Sequence, residues 1–356
     1  MGKGIDPLDV ITGIVATTLG AAAYATYKGH GVPAISTVAA LFGAAYISAP
    51  RRKFPQARDV VPDDTVADKV VIVTGATSGI GIDTAGALFE KGAKVYLAAR
   101  NPKKIEAAKA EIMSKYSSKK NGQLISLVCD LNDLNSVKQS AEMFLKAEKK
   151  LDILILNAGI MAVPERTSTK QGLESQVGVC HVGHFLLTTK LLPAIKAVKG
   201  SDPARVVCLS SSAHRRHKIK EMLEGEKPLE TIPYDPWVGY GNAKCSNLLF
   251  AKELSNRGIL AFSVMPGGIH TGLQTHVDWW TMLKWTIVTP FFFKSTSQGA
   301  ATSLLCATTA DPKDSGKYFD NCKPTEAVTK VEQEAGADAA GKLWKQTEEV
   351  LKGLGF

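Results

Sequence analysis

The string Thr74-Gly75-Ala76-Thr77-Ser78-Gly79-Ile80-Gly81 lies between a short β-branched run, Lys69 to Thr74, and a helical stretch over 82–91. Glycines at such a junction permit a tight turn, a close approach of backbone to a bound group, and close packing of helix on strand. Ala93 to Ala99, Leu124 to Cys129, Leu151 to Leu156, Arg205 to Leu209 and Ile259 to Met265 read as further strands. Between them, helices are expected from Lys103 to about Lys115, on the face marked by Val137, Ala141, Phe144 and Leu145, over 180–198, and from about Tyr240 to Asn256. A last helix places Ala340, Leu343, Trp344, Thr347 and Leu351 on one face.

Strands separated by helices imply crossover connections, a parallel sheet and helices on both faces. The expected fold is therefore α/β, a Rossmann-type doubly wound sheet, with the glycine turn placed to bind a dinucleotide. The first helix offers its N-terminal N–H groups and dipole to a phosphate. A carboxylate at the end of the second strand would bind the ribose 2′-hydroxyl of NAD. That position holds Ala99, followed by Arg100 and then Lys103 and Lys104. A guanidinium in place of a carboxylate suits a 2′-phosphate, so the expected cofactor is NADP(H).

Of the 356 residues 45% are apolar and 22% charged, which excludes a disordered chain or a collagen-like repeat. The net charge of +9 is compatible with nucleic acid, anionic lipid or a phosphate-bearing cofactor and does not choose among them. Cysteines 129, 180, 208, 245, 306 and 322 form no CxxC pair and no zinc-ligand spacing, so they are read as reduced.

The first fifty residues are a separate object. Residues 1–50 carry only four charged groups, Lys3, Asp6, Asp9 and Lys28, around two apolar stretches, Val10–Tyr27 and Val32–Ala49. Each is near the lower length for a membrane-crossing helix, about 17 residues. Arg51, Arg52, Lys53 and Arg58 follow, and the positive-inside tendency puts that flank on the cytosolic side. The reading is a membrane hairpin or single anchor at 1–50, a basic and Pro-rich linker at 51–67, and a catalytic domain at 68–356. A transit peptide, a cleaved signal and a soluble amphipathic arm fit less well.

Tyr240-Gly-Asn-Ala-Lys244 sets a phenol and an amine on one helix face, one turn apart. A phenol with its usual pKa near 10 is a weak base at neutral pH, and a neighbouring ammonium draws that value down. Upstream, strand Arg205–Leu209 runs into Ser210-Ser211-Ser212, at the sheet edge where ligands bind in parallel sheets. A serine hydroxyl there can steady charge on a reacting oxygen.

With these pieces the chain resembles a short-chain dehydrogenase/reductase, especially the membrane-associated retinol dehydrogenase-like group. The matching segments are TGATSGIG at 74–81, Asp130-Leu131, Asn157-Ala158-Gly159, Gly183-His184-Phe185, SSSAH at 210–214, YGNAK at 240–244, MPGGIHT at 265–271 and GKYF at 316–319. The resemblance implies that Tyr240 is the acid/base and that Lys244 binds the nicotinamide ribose and tunes Tyr240. It implies that Ser211 orients the substrate oxygen, that Asp130 meets the adenine, and that Asn157 supports the cofactor cleft. It also places Pro266, Gly267 and Thr271 along the nicotinamide amide, with Gly75, Thr77, Ser78, Gly79, Ile80, Gly81, Leu131, Ala158 and Gly159 among the cofactor-binding residues. No metal is expected.

Cys180 departs from the family, which has Asn there, thought to shape a helix kink and hold a proton-relaying water. A thiol is a weak donor and acceptor. Cys180→Asn is therefore expected to leave activity intact or raise it, and a hundredfold drop in a turnover assay would assign Cys180 a role of its own. Neighbouring His181 is read as packed rather than as a substitute relay. The segment with Trp279, Trp280, Leu283, Trp285, Ile287, Val288 and Phe291 to Phe293 is apolar enough to line a lipophilic pocket, and core packing is the plainer alternative.

The expected partners are thus a hydrophobic small-molecule substrate (retinoid, sterol, isoprenoid or long-chain lipid) and membrane lipid at the endoplasmic reticulum or a lipid droplet. Nucleic acid is not expected, and a homodimer stays open. The alternative function is a catalytically weak dinucleotide-binding membrane protein acting through partners. A sugar-nucleotide epimerase shares a YxxxK pair but would carry a TGxxGxxG turn and a larger C-terminal domain.

Overall fold

The computed structural model describes residues 54–118, 121–198, 200, 202–225, 227, 229–230, 233–269 and 294–356. The apolar stretches of 1–50, most of the linker's basic residues and the aromatic segment 279–293 lie outside them. Among the described residues no helix is long and apolar enough to cross a membrane. The elements below all belong to one compact unit, Pro55–His276 with Ser295–Phe356.

Its sheet has eight strands in the order β3-β2-β1-β4-β5-β6-β7-β8. These are β1 Val70–Thr74, β2 Lys94–Ala99, β3 Gln123–Val128, β4 Ile153–Leu156, β5 Arg205–Leu209, β6 Leu260–Met265, β7 Tyr318–Asp320 and β8 Lys323–Thr325. All pairings are parallel except β7 with β8. Strand order reverses between β1 and β4, the crevice where open α/β sheets bind ligands.

The helices are α1 Ile80–Glu90, α2 Pro102–Lys115, α3 Leu134–Ala147, α4 Gly183–Ala197, α5 Ile219–Glu224, α6 Pro236–Asn256, α7 Thr296–Thr308, α8 Ala327–Ala335 and α9 Ala339–Gly353. Burial on both sheet faces explains why β1, β4 and β5 are continuous apolar runs rather than alternating ones. On one face, Val71, Val73, Ile153, Ile155 and Val207 pack with residues of α1, α2 and α7. On the other, Ile72, Leu154 and Val206 pack with α3, α4, α6 and α9. The face expected on the last helix is buried as read: Trp344 meets Phe185 of α4 edge-on at 4.7 Å and Phe250 of α6 at 5.8 Å.

Strand limits differ from the sequence reading by a residue or two. The β7/β8 hairpin and helices α5, α7 and α8 were not anticipated. The hairpin turns through Asn321 and Cys322 at φ 52° and 61°, the left-handed region that two-residue hairpin loops require.

Candidate active site

The glycine turn leaves β1 at Thr74 and is compressed from two sides. Gly75 and Gly79 have φ of 66° and 54°, where a side chain would be strained. A β-carbon on Gly81 would sit 2.2 Å from the Gly75 carbonyl oxygen, and one on Gly75 would sit 2.9 Å from Ala158 Cα. The Asn157-Ala158-Gly159 turn after β4 is bonded to the same place. Asn157 Nδ2 donates to the Thr74 carbonyl at 2.8 Å, and the Ala158 N–H donates to Thr74 Oγ1 at 3.0 Å. Gly79 is the N-cap of α1 and supplies no capping side chain, so no side chain competes with an anion at this helix start, although the Gly81 N–H donates to the Ser78 carbonyl at 3.2 Å. Thr77 and Ile80 are half-buried and Ser78 is exposed. A glycine cradle under an uncapped eleven-residue helix fits a dinucleotide pyrophosphate.

Other residues assigned to the cofactor lie around this cradle. Arg100 is exposed directly beyond the last residue of β2, Ala99. The Asp130 carboxylate accepts the Asn132 N–H at 3.0 Å, and its own N–H donates to Ser136 Oγ at 3.0 Å. Leu131 is buried against Gly183, whose β-carbon position is 2.9 Å from the Leu131 carbonyl oxygen. Pro266 and Gly267 follow β6 at the same sheet edge and are half-buried. Thr271 lies outside the described residues.

Helix α6 carries the Tyr–Lys pair, and its start is fixed locally. The Asp235 carboxylate accepts the N–H groups of Trp237 and Val238, each at 2.8 Å, with Pro236 as the first helical residue. From that start Tyr240 and Lys244 fall on one face, with Lys244 Nζ 5.6 Å from the Tyr240 ring centre. The helix is tied to the end of β5 by three bonds. Lys244 Nζ and Asn247 Nδ2 both donate to the Leu209 carbonyl, at 3.2 and 2.8 Å. The Ser210 hydroxyl donates to the Lys244 carbonyl at 2.7 Å. Neither Ser210 nor Asn247 was singled out from the sequence.

The Ser211 hydroxyl lies near enough to the Tyr240 phenol to favour its ionised form. Ser211 itself is held by the Ala213 N–H on its Oγ at 3.2 Å and by His214 Nδ1 on its carbonyl at 2.6 Å. Serine, tyrosine and lysine, 33 residues apart in sequence at their widest, thus meet at the carboxyl edge of the sheet. Burial pushes the Tyr240 phenol above its usual range; Lys244 and the Ser211 hydroxyl pull it back, and the Cys180 thiol adds to the rise. The downward pull expected from Lys244 is present, and desolvation outweighs it.

Cys180 lies in a π-helical turn, Gly178–Val182, that leads into α4. Such turns carry one extra residue and often mark functional sites. The distortion forms here with Cys at position 180, where the resemblance leads one to expect Asn. A β-carbon on Gly159 would stand 3.3 Å from both Cys180 Sγ and Lys244 Nζ, so the missing side chain leaves room for thiol and amine over the same face of Gly159. The thiol donates weakly to the Ile160 carbonyl at 3.6 Å, and burial pushes its pKa up. His181 points elsewhere. It is fully buried, contacts Thr347 of α9 at 3.1 Å and packs edge-on against Phe185 and Phe250. Burial drives its pKa down to about 3, the behaviour of a packed neutral imidazole.

The short chain dehydrogenase family model matches residues 69–222. Retinol dehydrogenase 12 of Mus musculus is 42% identical over 313 residues, covering 86% of this chain and 94% of that protein. The chain belongs to the short-chain dehydrogenase/reductase family. Within that family, human retinol dehydrogenase 11 is 36% identical over 86% of this chain and 93% of its own. Among solved structures, an uncharacterized protein from Mycobacterium paratuberculosis is 31% identical, with a TM-score of 0.60 over 84% of this chain and 98% of that one. A short-chain dehydrogenase/reductase binds a nicotinamide dinucleotide, and the turn through Gly75, Gly79 and Gly81 leaves a cradle that fits such a group.

Proposed function

We propose that the chain is an NADP(H)-dependent oxidoreductase that interconverts a lipophilic alcohol and its aldehyde or ketone. The observation that carries this reading is the convergence of Tyr240, Lys244 and Ser211 at the sheet edge, with Lys244 Nζ 5.6 Å from the Tyr240 ring centre and anchored on the Leu209 carbonyl. When bound, the nicotinamide supplies or accepts the hydride. In carbonyl reduction Tyr240 gives its phenolic proton to the substrate oxygen, and in alcohol oxidation it takes one back. Ser211 donates a hydrogen bond to that oxygen as charge develops on it. Lys244 stabilises the phenolate left behind, and its anchorage on the Leu209 carbonyl keeps the ammonium beside the ring.

Preference for NADP(H) rests on Ala99 and Arg100, because a carboxylate is missing and a guanidinium is exposed where a 2′-phosphate would lie. Arg100→Ala should raise the NADPH dissociation constant about tenfold or more, the worth of a hydrogen bond between charged groups, and change NADH binding little. Fluorescence titration of both cofactors reads this directly; equal weakening of the two would remove Arg100 from the 2′ position.

A lipophilic substrate is supported by the relatives named as retinol dehydrogenases and by the aromatic-rich sequence between Trp279 and Phe293. The apolar residues 1–50 and the basic residues after them would hold the domain at a membrane, endoplasmic reticulum or lipid droplet, facing the cytosol. The test is a screen of membrane fractions carrying the full chain against retinoids, sterols and fatty aldehydes, following NADPH absorbance, with Tyr240→Phe as control. Turnover of a lipophilic carbonyl that disappears in the variant supports the reading. Turnover confined to small polar substrates would overturn the substrate class.

A further inference from the structure

His184 is the buried group that ties the cofactor turn to the π-helical turn. Its Nε2 is 2.9 Å from Thr74 Oγ1, and its Nδ1 is 3.0 Å from the Cys180 carbonyl oxygen. The chemistry of the partners fixes the proton. A carbonyl oxygen only accepts, so Nδ1 carries the hydrogen. With Nδ1 protonated, a neutral ring presents Nε2 as an acceptor, and the Thr74 hydroxyl donates to it. Thr74 Oγ1 is then free to accept the Ala158 N–H, as it does at 3.0 Å. Thr74 Oγ1 also stands 3.5 Å from the Ile155 carbonyl oxygen, a second acceptor for its proton; the shorter contact to Nε2 and the carbonyl facing Nδ1 select the Nδ1-protonated neutral ring.

The network joins three parts of the site that are far apart in sequence: the end of β1 that opens the glycine turn, the turn after β4, and the π-helical turn holding Cys180. The last two meet beside Lys244: a β-carbon on Gly159 would stand 3.3 Å from both Cys180 Sγ and Lys244 Nζ. Thr74 and His184 are each about 1% exposed, so water cannot replace a lost partner. Burial, partly offset by the bond to the Cys180 carbonyl and reinforced by Lys244, pushes the imidazole pKa down to about 3. The neighbouring titratable groups are His181, Lys244 and the Cys180 thiol.

We propose that His184 is a positioning residue: a neutral, Nδ1-protonated strut that holds the π-helical turn in register with the cofactor turn and so sets the wall of the site against which Lys244 rests. In this chain the strut secures the turn at Cys180, where the resemblance leads one to expect Asn. The catalytic consequence rests on the oxidoreductase reading above; the tautomer and the coupling of the two turns do not.

The first test is imidazole nitrogen-15 spectroscopy of the full chain in detergent, labelled at its seven histidines, with a His184→Phe sample to assign the signal. The strut requires a His184 ring that stays neutral with its proton on Nδ1 from pH 5.5 to pH 8. A ring that titrates in the ordinary range, about pH 6.5, or that carries its proton on Nε2, overturns it. The second test is a cycle of Thr74→Val, His184→Phe and the double variant. Each single change should lower kcat about tenfold or more, with KM moved much less, and the double should be no worse than the poorer single, because both delete one link. Additive losses, or wild-type kcat in a folded His184→Phe, contradict the strut. If His184→Phe does not fold, Thr74→Val and a His184→Gln assignment sample still decide. If the wild-type chain turns over no alcohol or carbonyl at all, the functional reading fails, while the nitrogen-15 result judges the strut independently.

Discussion

Tyr240→Phe should lower turnover by about 10²–10⁴-fold, the usual worth of a positioned general acid–base group, while leaving NADPH binding nearly unchanged. The variant deletes one oxygen. The ring remains against Lys244, and α6 keeps its Asp235 cap and its bonds to Leu209. The phenol also dictates a pH dependence with a definite sign. Burial raises the Tyr240 pKa, so the protonated form, which reduction needs, persists through neutral pH. Reduction should stay level there and decline only as pH rises through that raised value. Oxidation needs the phenolate and should increase as pH rises over the same span. The residual activity of Tyr240→Phe should show neither limb. Steady-state rates in both directions from pH 6 to beyond pH 10, as far as the fold persists, on wild type and variant, check this; a variant with wild-type rates would remove Tyr240 from the chemistry.

Gly81→Ala should abolish saturable NADPH binding and destabilise the domain by about 1–3 kcal/mol or more, the range for overpacking a filled interior. The added carbon would overlap the Gly75 carbonyl oxygen at 2.2 Å and crowd Ala76 Cα at 2.9 Å. Both are backbone atoms, so no side chain can swing away. Relief must come from moving Gly75, which is pinned to β2 by its N–H on the Ala98 carbonyl at 2.8 Å and packed on Ala158. The cradle therefore opens or the helix shifts. Gly353→Ala is the control: its β-carbon would meet nothing within 4 Å, and its stability should be unchanged or slightly improved. Chemical denaturation and fluorescence titration read both variants. A Gly81→Ala protein with native affinity would show that the turn is not what holds the cofactor.

What was legible in the sequence followed from strong local signals. Strands β1 to β6 are β-branched or apolar runs bounded by turns, and the glycine turn and Tyr240–Lys244 spacing each have a local physical reason. The buried face of α9, from Ala340 to Leu351, was visible in its helical period. The β7/β8 hairpin was not, because three-residue strands carry almost no period and its turn uses Asn321-Cys322 where Gly would signal it. The resemblance marked a helix kink at position 180, but nothing in 178–182 itself shows the π-helical turn, because one extra residue leaves no mark on composition. Thr74 and His184 meet across 110 positions, and Ser210 reaches the Lys244 carbonyl across 34, so these supports depend on the fold. The net direction of the Tyr240 shift was hidden for the same reason, since the spacing to Lys244 was legible and the depth of burial was not.

The most direct measurement of the central claim uses the full chain in membranes, NADPH with both hydrogens at nicotinamide C4 replaced by deuterium, and a lipophilic aldehyde found by the substrate screen. Wild type should place deuterium on the carbinol carbon of the product alcohol, and Tyr240→Phe, at equal cofactor occupancy, should form almost none. Alcohol formed without the label, or labelled equally by the variant, would contradict hydride transfer coupled to a proton from Tyr240.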